Sequence, residues 1–230
     1  MKTIGVIGGM SWHSTATCYR LLNEETHRRL GGHHSARIAL HSVEFSEIEA
    51  WQRNDCWEPI GRTLSKAAQS LELGGADFIM IACNTVHHVF DEVESNVAIP
   101  LLHIGDAMGA HLKSHGVRRA GLLGTRFTLE SGFLRDRLQY RHQIETHIPS
   151  ESDRIEISRI VYEELTFGNV RDDSRKTFTE VASRFADAGI DDVILACTEL
   201  SMLTATPLQQ PRIHDTLEIH AKAAVDLALK

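Results

Sequence analysis

The chain has 230 residues, 42% hydrophobic and 24% charged, with 24 Lys and Arg against 31 Asp and Glu and a formal net charge of −7. That composition supports one large core or two small ones and excludes an intrinsically disordered chain, and the scattered basic residues argue against nucleic acid or an anionic membrane surface as the main partner. No apolar stretch reaches the about 18 residues of a membrane span, and Met1 to Gly9 is too short and glycine-rich for a signal peptide, so a cytoplasmic protein acting on a small molecule is expected.

Strands and helices alternate along the chain. A strand over 3–8 leads through Gly8-Gly9 into a helix over 14–30, followed by a strand over 37–43 and a helix over 57–73. An apolar strand then ends at Cys83 and a helix over 85–94 follows. Pro100-Leu101-Leu102-His103-Ile104 reads as the crossing into a second half, with strands near 119–123, 144–148 and 192–196 and helices near 129–140, 153–166 and 173–188. Pro207 and Pro211 bracket a short loop before the strand Arg212-Ile213-His214 and a helix over 216–229. This order predicts βαβ units and parallel sheets. The last helix is expected to return to the first half, giving domains of 1–100 plus 212–230 and of 101–211.

The halves repeat each other. Ile4-Gly5-Val6-Ile7-Gly8-Gly9-Met10-Ser11 matches Ala120-Gly121-Leu122-Leu123-Gly124-Thr125-Arg126-Phe127, and the segment from Gly75 to Thr85 matches that from Gly189 to Glu199. The matched features lie at nearly the same separation, which argues for internal duplication. The expected fold is therefore α/β, with two pseudo-symmetric Rossmann-like parallel-sheet domains and the active site in the cleft between them. Such sheets bind ligands at the carboxyl ends of their strands, where Met10, Cys83, Thr125 and Cys197 fall. A thiol at a strand-to-helix junction feels the positive end of the helix dipole, which favours thiolate below the free value of about 8.5. Two such thiols facing each other make an acid and base pair.

Other motifs carry less. The four cysteines have no CxxC spacing and read as reduced thiols, with packing as the default role of Cys18 and Cys56. Gly5-Val6-Ile7-Gly8-Gly9 lacks the full spacing of a dinucleotide loop, so NAD is not expected. The fourteen histidines include His33-His34 and His87-His88, but adjacent helical side chains diverge and no metal motif stands out. His87 falls in the first turn after Cys83, where it is placed to tune the site.

The Gly8-Gly9-Met10-Ser11, Cys83-Asn84-Thr85, Cys197-Thr198-Glu199 and Asp215-Thr216 segments resemble the aspartate/glutamate racemase superfamily over essentially the whole chain. The likeness is to the cofactor-independent aspartate racemase and broad-specificity amino-acid racemase branch. It implies a racemase, typically a homodimer, that inverts an amino-acid α-carbon without pyridoxal phosphate or metal, Cys197 facing the α-proton of the L-enantiomer and Cys83 that of the D-enantiomer. It also implies that Met10 lines the substrate site and that Asn84, Thr85, Thr198 and Thr125 bind the α-carboxylate or α-amino group, although such residues are also ordinary N-caps. Aspartate-selective relatives tend to be basic near Gln52 and Glu164, a pair suited to a side-chain carboxylate. A neutral amide and an acid cannot replace two cations, so a neutral or polar substrate, or broad specificity, is expected. A one-residue shift would instead bring Arg53 into the pocket, and Glu164 reads equally well as a solvated helix residue. Gly9-Met10-Ser11-Trp12 replaces the Asp-Ser pair of cell-wall glutamate racemases, and arylmalonate decarboxylases keep one cysteine. Hydantoin racemases and maleate isomerases remain enzymatic alternatives, and a two-lobed binding protein the non-enzymatic one.

Overall fold

The computed structural model describes residues 1–204 and 211–230, so Pro207 and most of its loop lie outside the described residues. Two compact units divide the chain, Met1–Ile104 with His220–Lys230, and Gly105–Ile219. In the first, β1 (Ile4–Gly8) leads into α1 (Trp12–Leu30), β2 (Ile38–Ser42), α2 (Phe45–Arg53), α3 (Trp57–Leu73) and β3 (Phe78–Ile81). A 3₁₀ segment, Thr85–Val89, then joins α4 (Phe90–Ser95), and β4 (Leu101–Leu102) completes a parallel sheet in the order β2-β1-β3-β4. Every residue of β1 and β3 is buried, as continuous apolar runs require when both faces of a parallel strand are covered. The edge strand β2 is only partly buried. From α3, Ile60, Leu64, Ala67, Ala68 and Leu71 form a helical stripe in the core shared with Ile7, Ile79 and Ile81.

The second unit repeats this order. It comprises α5 (Ile104–Ser114), β5 (Arg119–Leu123), α6 (Arg126–Glu130), α7 (Phe133–His142), β6 (Glu145–His147), α8 (Glu151–Glu163), α9 (Asp172–Asp187), β7 (Asp192–Leu195) and β8 (Arg212–Asp215), and α10 (Thr216–Ala228) begins in it and passes at His220 into the first unit. Its sheet runs β6-β5-β7-β8, again parallel. Phe178, Val181, Ala182 and Phe185 of α9 pack on Leu123, Val193 and Leu195. Even the bond past each central pair repeats, with Ala82 N–H donating to Ile7 C=O at 2.9 Å and Ala196 N–H to Leu123 C=O at 2.6 Å.

The structure corrects several expectations. The boundary set at 100 and 212 moves, because β4 pairs with β3 in the first sheet and β8 with β7 in the second, so the chain passes between units at Ile104 and Ile219. The helix over 85–94 is 3₁₀ for its first five residues. The helix over 129–140 is two, α6 and α7, separated at Gly132, whose φ of 79° is left-handed. Helices α2 and α5 were not expected. The first has only nine residues, and Gly105 and Gly109 weaken the helical signal of the second. Among the described residues no helix is long and apolar enough to cross a membrane.

Candidate active site

In the first unit the turn after β1 and the end of β3 lie side by side, since their strands are paired. Gly9 has a φ of 99°, and a Cβ there would fall 2.3 Å from Val43 O, so the turn admits only glycine. Its N–H donates to Thr15 Oγ1 at 2.8 Å, while the Thr15 hydroxyl donates to Ser11 C=O at 2.9 Å. Ser11 caps α1 by accepting from Ser14 N–H, so the turn is clamped to the first turn of the helix. Met10 is buried in the core with Ile7 and Ile81, and Cys83, partly exposed, packs against that same core. Asn84 and Thr85 follow, both buried, and Gln52 is 3% exposed on α2. Asn84 opens the 3₁₀ segment without a side-chain capping bond, so N-capping does not account for it.

The second unit places Cys197 at the equivalent end of β7, buried among Leu123, Ile160, Leu165 and Leu200. Its Sγ–H donates to Glu199 Oε2 at 3.3 Å, and the Thr198 hydroxyl donates to the same oxygen at 2.8 Å. Glu199, which the sequence did not single out as a candidate by itself, is thus the polar group in contact with the Cys197 thiol. The signal was present in the motif, since two residues after the cysteine stands a threonine in the first half, Thr85, and an acid in the second. Thr125 opens α6 without a side-chain cap, its hydroxyl lying 3.2 Å from that of buried Thr128.

The helix dipole at both cysteines is weak. The segments after the cysteines, Thr85–Val89 and Thr198–Leu203, are short 3₁₀ turns, and few aligned peptides make a small end charge. At Cys197 a carboxyl group is hydrogen-bonded to the thiol instead.

Glu164 is not solvated. It is 1% exposed at the end of α8, with Oε2 accepting from the Ser174 hydroxyl at 2.5 Å and Oε1 accepting from Arg159 at 3.0 Å, while Arg171 forms a longer ion pair with Oε1 at 3.9 Å. Burial alone would raise its pKa, but the bonds from Ser174 and Arg159 outweigh it and hold the carboxyl below its ordinary value. A depressed folded pKa gives stability that is present above the unfolded value, about 4.3, and is lost as pH falls through the folded value. We expect Glu164→Gln to lower the melting temperature at pH 7 and to flatten its decline between about pH 5 and 3. Glu164→Lys should lower it further by burying a third cation beside Arg159 and Arg171. Thermal melts across pH check this, and an unchanged Tm for Glu164→Gln at pH 7 would refute it.

Arg53 does not take the place of Gln52. It is exposed and paired with Glu49 one turn earlier on α2. Cys18 is fully buried and burial pushes its thiol up to about 12, in keeping with packing. Cys56 departs from that expectation and is exposed before α3. Asp215 caps α10, its Oδ1 accepting from the N–H groups of Leu217 at 2.7 Å and Glu218 at 3.3 Å, while burial pushes its carboxyl up. Thr216 donates to Leu195 C=O at 2.7 Å and ties α10 to β7. His33 and His34 are exposed, and His87 and His88 point to opposite environments, the first buried and the second exposed.

Comparison with known proteins adds to this geometry. The profile of the family described as Asp/Glu/Hydantoin racemase matches residues 7–224. A candidate Asp/Glu racemase from Yersinia pestis is similar at 43% identity, with a TM-score of 0.92 and complete coverage of both chains. An aspartate racemase homologue from Pyrococcus horikoshii OT3 is similar at 32% identity and a TM-score of 0.86, again with both chains covered completely. The broad specificity amino-acid racemase RacX of Bacillus subtilis (strain 168) is 25% identical over 168 residues, 73% of this chain and 72% of that protein. Two duplicated parallel sheets with a cysteine ending the same strand in each, and a family match over nearly the whole length, lead to one conclusion: the chain belongs to the Asp/Glu/hydantoin racemase family and is an isomerase.

Proposed function

We propose that this amino-acid racemase needs no pyridoxal phosphate or metal and uses Cys83 and Cys197 as its two bases. The observation that carries the reading is the repetition of a thiol at the carboxyl end of the equivalent strand, β3 and β7, in two units of one topology. A racemisation has near mirror symmetry, and it requires one group to remove the α-proton and another to deliver a proton to the opposite face of the planar carbanion. A thiolate and a thiol serve those roles and exchange them when the reaction runs backwards. The α-proton beside a carboxylate is weakly acidic, so charge moving onto the carboxylate oxygens must be met by fixed donors. Asn84, Thr85, Thr125 and Thr198 are proposed to hold the α-carboxylate and α-amino groups, with Met10 and Gln52 completing the lining. Glu164, engaged by Arg159 and Ser174, is proposed to shape its surroundings through those bonds. The reading extends to a cytoplasmic homodimer, which the family resemblance implies.

The test is incubation in deuterium oxide, with chelator and without added cofactor, of each common L-amino acid and of 5-substituted hydantoins, followed by NMR for deuteration at the α-carbon. Exchange into amino acids supports the reading. Exchange confined to hydantoins, or activity restored only by added metal, would overturn it.

Specificity is proposed to be broad, by similarity to the broad specificity amino-acid racemase RacX. Gln52 on α2 is a neutral amide and Glu164 an acid, so these two positions do not supply a pair of cations for a side-chain carboxylate. At least one uncharged polar amino acid is therefore expected to racemise faster than aspartate, and Gln52→Arg to shift the kcat/KM ratio toward aspartate. Competition assays on wild type and variant measure this; a wild type that strongly prefers aspartate defeats it.

A further inference from the structure

His87 bonds to the main chain at both ring nitrogens. Its Nδ1 lies 2.8 Å from Cys83 C=O, and its Nε2 lies 3.2 Å from Ile104 N–H. An N–H can only donate, so Nε2 accepts; a carbonyl can only accept, so Nδ1 carries the proton. One neutral tautomer therefore satisfies both contacts, and an added proton would set N–H against N–H. The ring is enclosed: His87 is 2% exposed, with Phe90 stacked at 5.8 Å and the rings of His103 and His220 at 4.6 and 6.0 Å. His220, fully buried, bonds through Nε2 to Leu102 C=O at 2.9 Å, and burial lowers it to about 4.

The two partners of His87 lie just past the ends of neighbouring strands, β3 and β4, and one of them belongs to the catalytic candidate Cys83. A trans peptide is planar, with its C=O and N–H on opposite sides. Among the described residues the only cis bond is Met10-Ser11, so holding the Cys83 carbonyl toward the buried imidazole turns Asn84 N–H the other way.

We propose that His87 is a positioning residue of the racemase. Through the Cys83 carbonyl it fixes the Cys83–Asn84 peptide plane, and with it both the backbone that carries the thiol and the direction of the Asn84 N–H, a donor for charge developing on the substrate carboxylate. The inference rests on the racemase reading above.

Two variants separate this role from a merely structural one. The side-chain amide of His87→Asn overlays Nδ1 and keeps the donor to Cys83 C=O; His87→Gln overlays Nε2 and keeps an acceptor for Ile104 N–H. Each loses one hydrogen bond, so similar falls in melting temperature are expected. Activity should divide them. His87→Asn is expected to keep kcat within about threefold of wild type, whereas His87→Gln should lose about 30-fold or more in kcat with KM within about twofold, as for a displaced oxyanion donor. Equal losses in the two variants would overturn the proposal while leaving the racemase reading intact. A wild type that exchanges no α-proton of any amino acid would instead defeat that reading. Should neither variant fold, the imidazole ¹⁵N spectrum of the wild type decides. A neutral ring protonated at Nδ1 supports the arrangement, and protonation at Nε2 overturns it.

Discussion

Replacement of either Cys83 or Cys197 by serine is expected to lower racemisation by about 10³-fold or more in both directions. A serine hydroxyl is essentially un-ionised near neutral pH, whereas a thiol supplies a usable fraction of thiolate and is the better base. The two directions must fall together in kcat/KM, because the enantiomers are equal in energy and their interconversion has no bias. Exchange of a single α-proton with solvent carries no such constraint. Cys83→Ser should retain exchange of the L-substrate through Cys197, and Cys197→Ser that of the D-substrate through Cys83. The controls are Cys18→Ser and Cys56→Ser. Cys18 is fully buried, so its serine variant should melt earlier while keeping the rate per folded molecule, and the exposed Cys56 should tolerate the change. Kinetics of racemisation and of deuterium exchange, measured on all four variants, provide the test. A single variant at either proposed base that racemises near the wild-type rate would end the two-thiol mechanism; reversed exchange preferences would only interchange the faces.

Much of this was legible in the sequence because the informative residues are those whose surroundings are set locally. Phe78 to Ile81 reads as a buried strand, and Trp57 to Leu73 as a helix whose stripe of Ile60, Leu64, Ala67 and Leu71 has helical spacing. The duplication was legible because both halves place Ala-Cys after such a strand, and the matching bonds from Ala82 and Ala196 show the same local geometry. The partnering of short strands was not. Leu101–Leu102 and Arg212–Asp215 gain their places from the strands beside them, so the boundary drawn from chain order put both on the wrong side. Charge at long range was equally hidden. The environment of Glu164 depends on Ser174, ten residues away on the next helix, and nothing in Tyr162-Glu163-Glu164-Leu165 announces that partner. The 3₁₀ character after each cysteine was hidden too, since capping residues mark where a turn starts but not how tightly it winds.

The asymmetry between the two thiols leads to the second large effect. Cys197 donates its Sγ–H to Glu199, while the position two residues after Cys83 is Thr85, a group with no comparable basicity. On the proposed two-thiol mechanism Cys197 must lose that proton before it can act as a base, and we propose that Glu199 takes it: the S–H bond would break, an O–H bond would form on the carboxylate, and the thiolate left behind would accept the α-proton of the L-substrate. Glu199→Gln keeps the size and the acceptor oxygen for Thr198 and Cys197 but cannot take up a proton. Exchange of the L-substrate at pH 7 should therefore fall by about 10²-fold, within the usual range for a lost acid or base, while exchange of the D-substrate through Cys83 changes by only a few fold. The pH profile separates this role from simple packing. In alkaline solution hydroxide takes the proton from Cys197 directly, so L-exchange by the variant should recover toward wild type as pH rises. A variant damaged only in shape would stay low at every pH, and one that exchanges L-substrate normally at pH 7 would show that the carboxylate merely caps the thiol. Selective loss at pH 7 with recovery in alkali is the pairing expected of a proton acceptor, since direct ionisation of the thiol then replaces the transfer to Glu199.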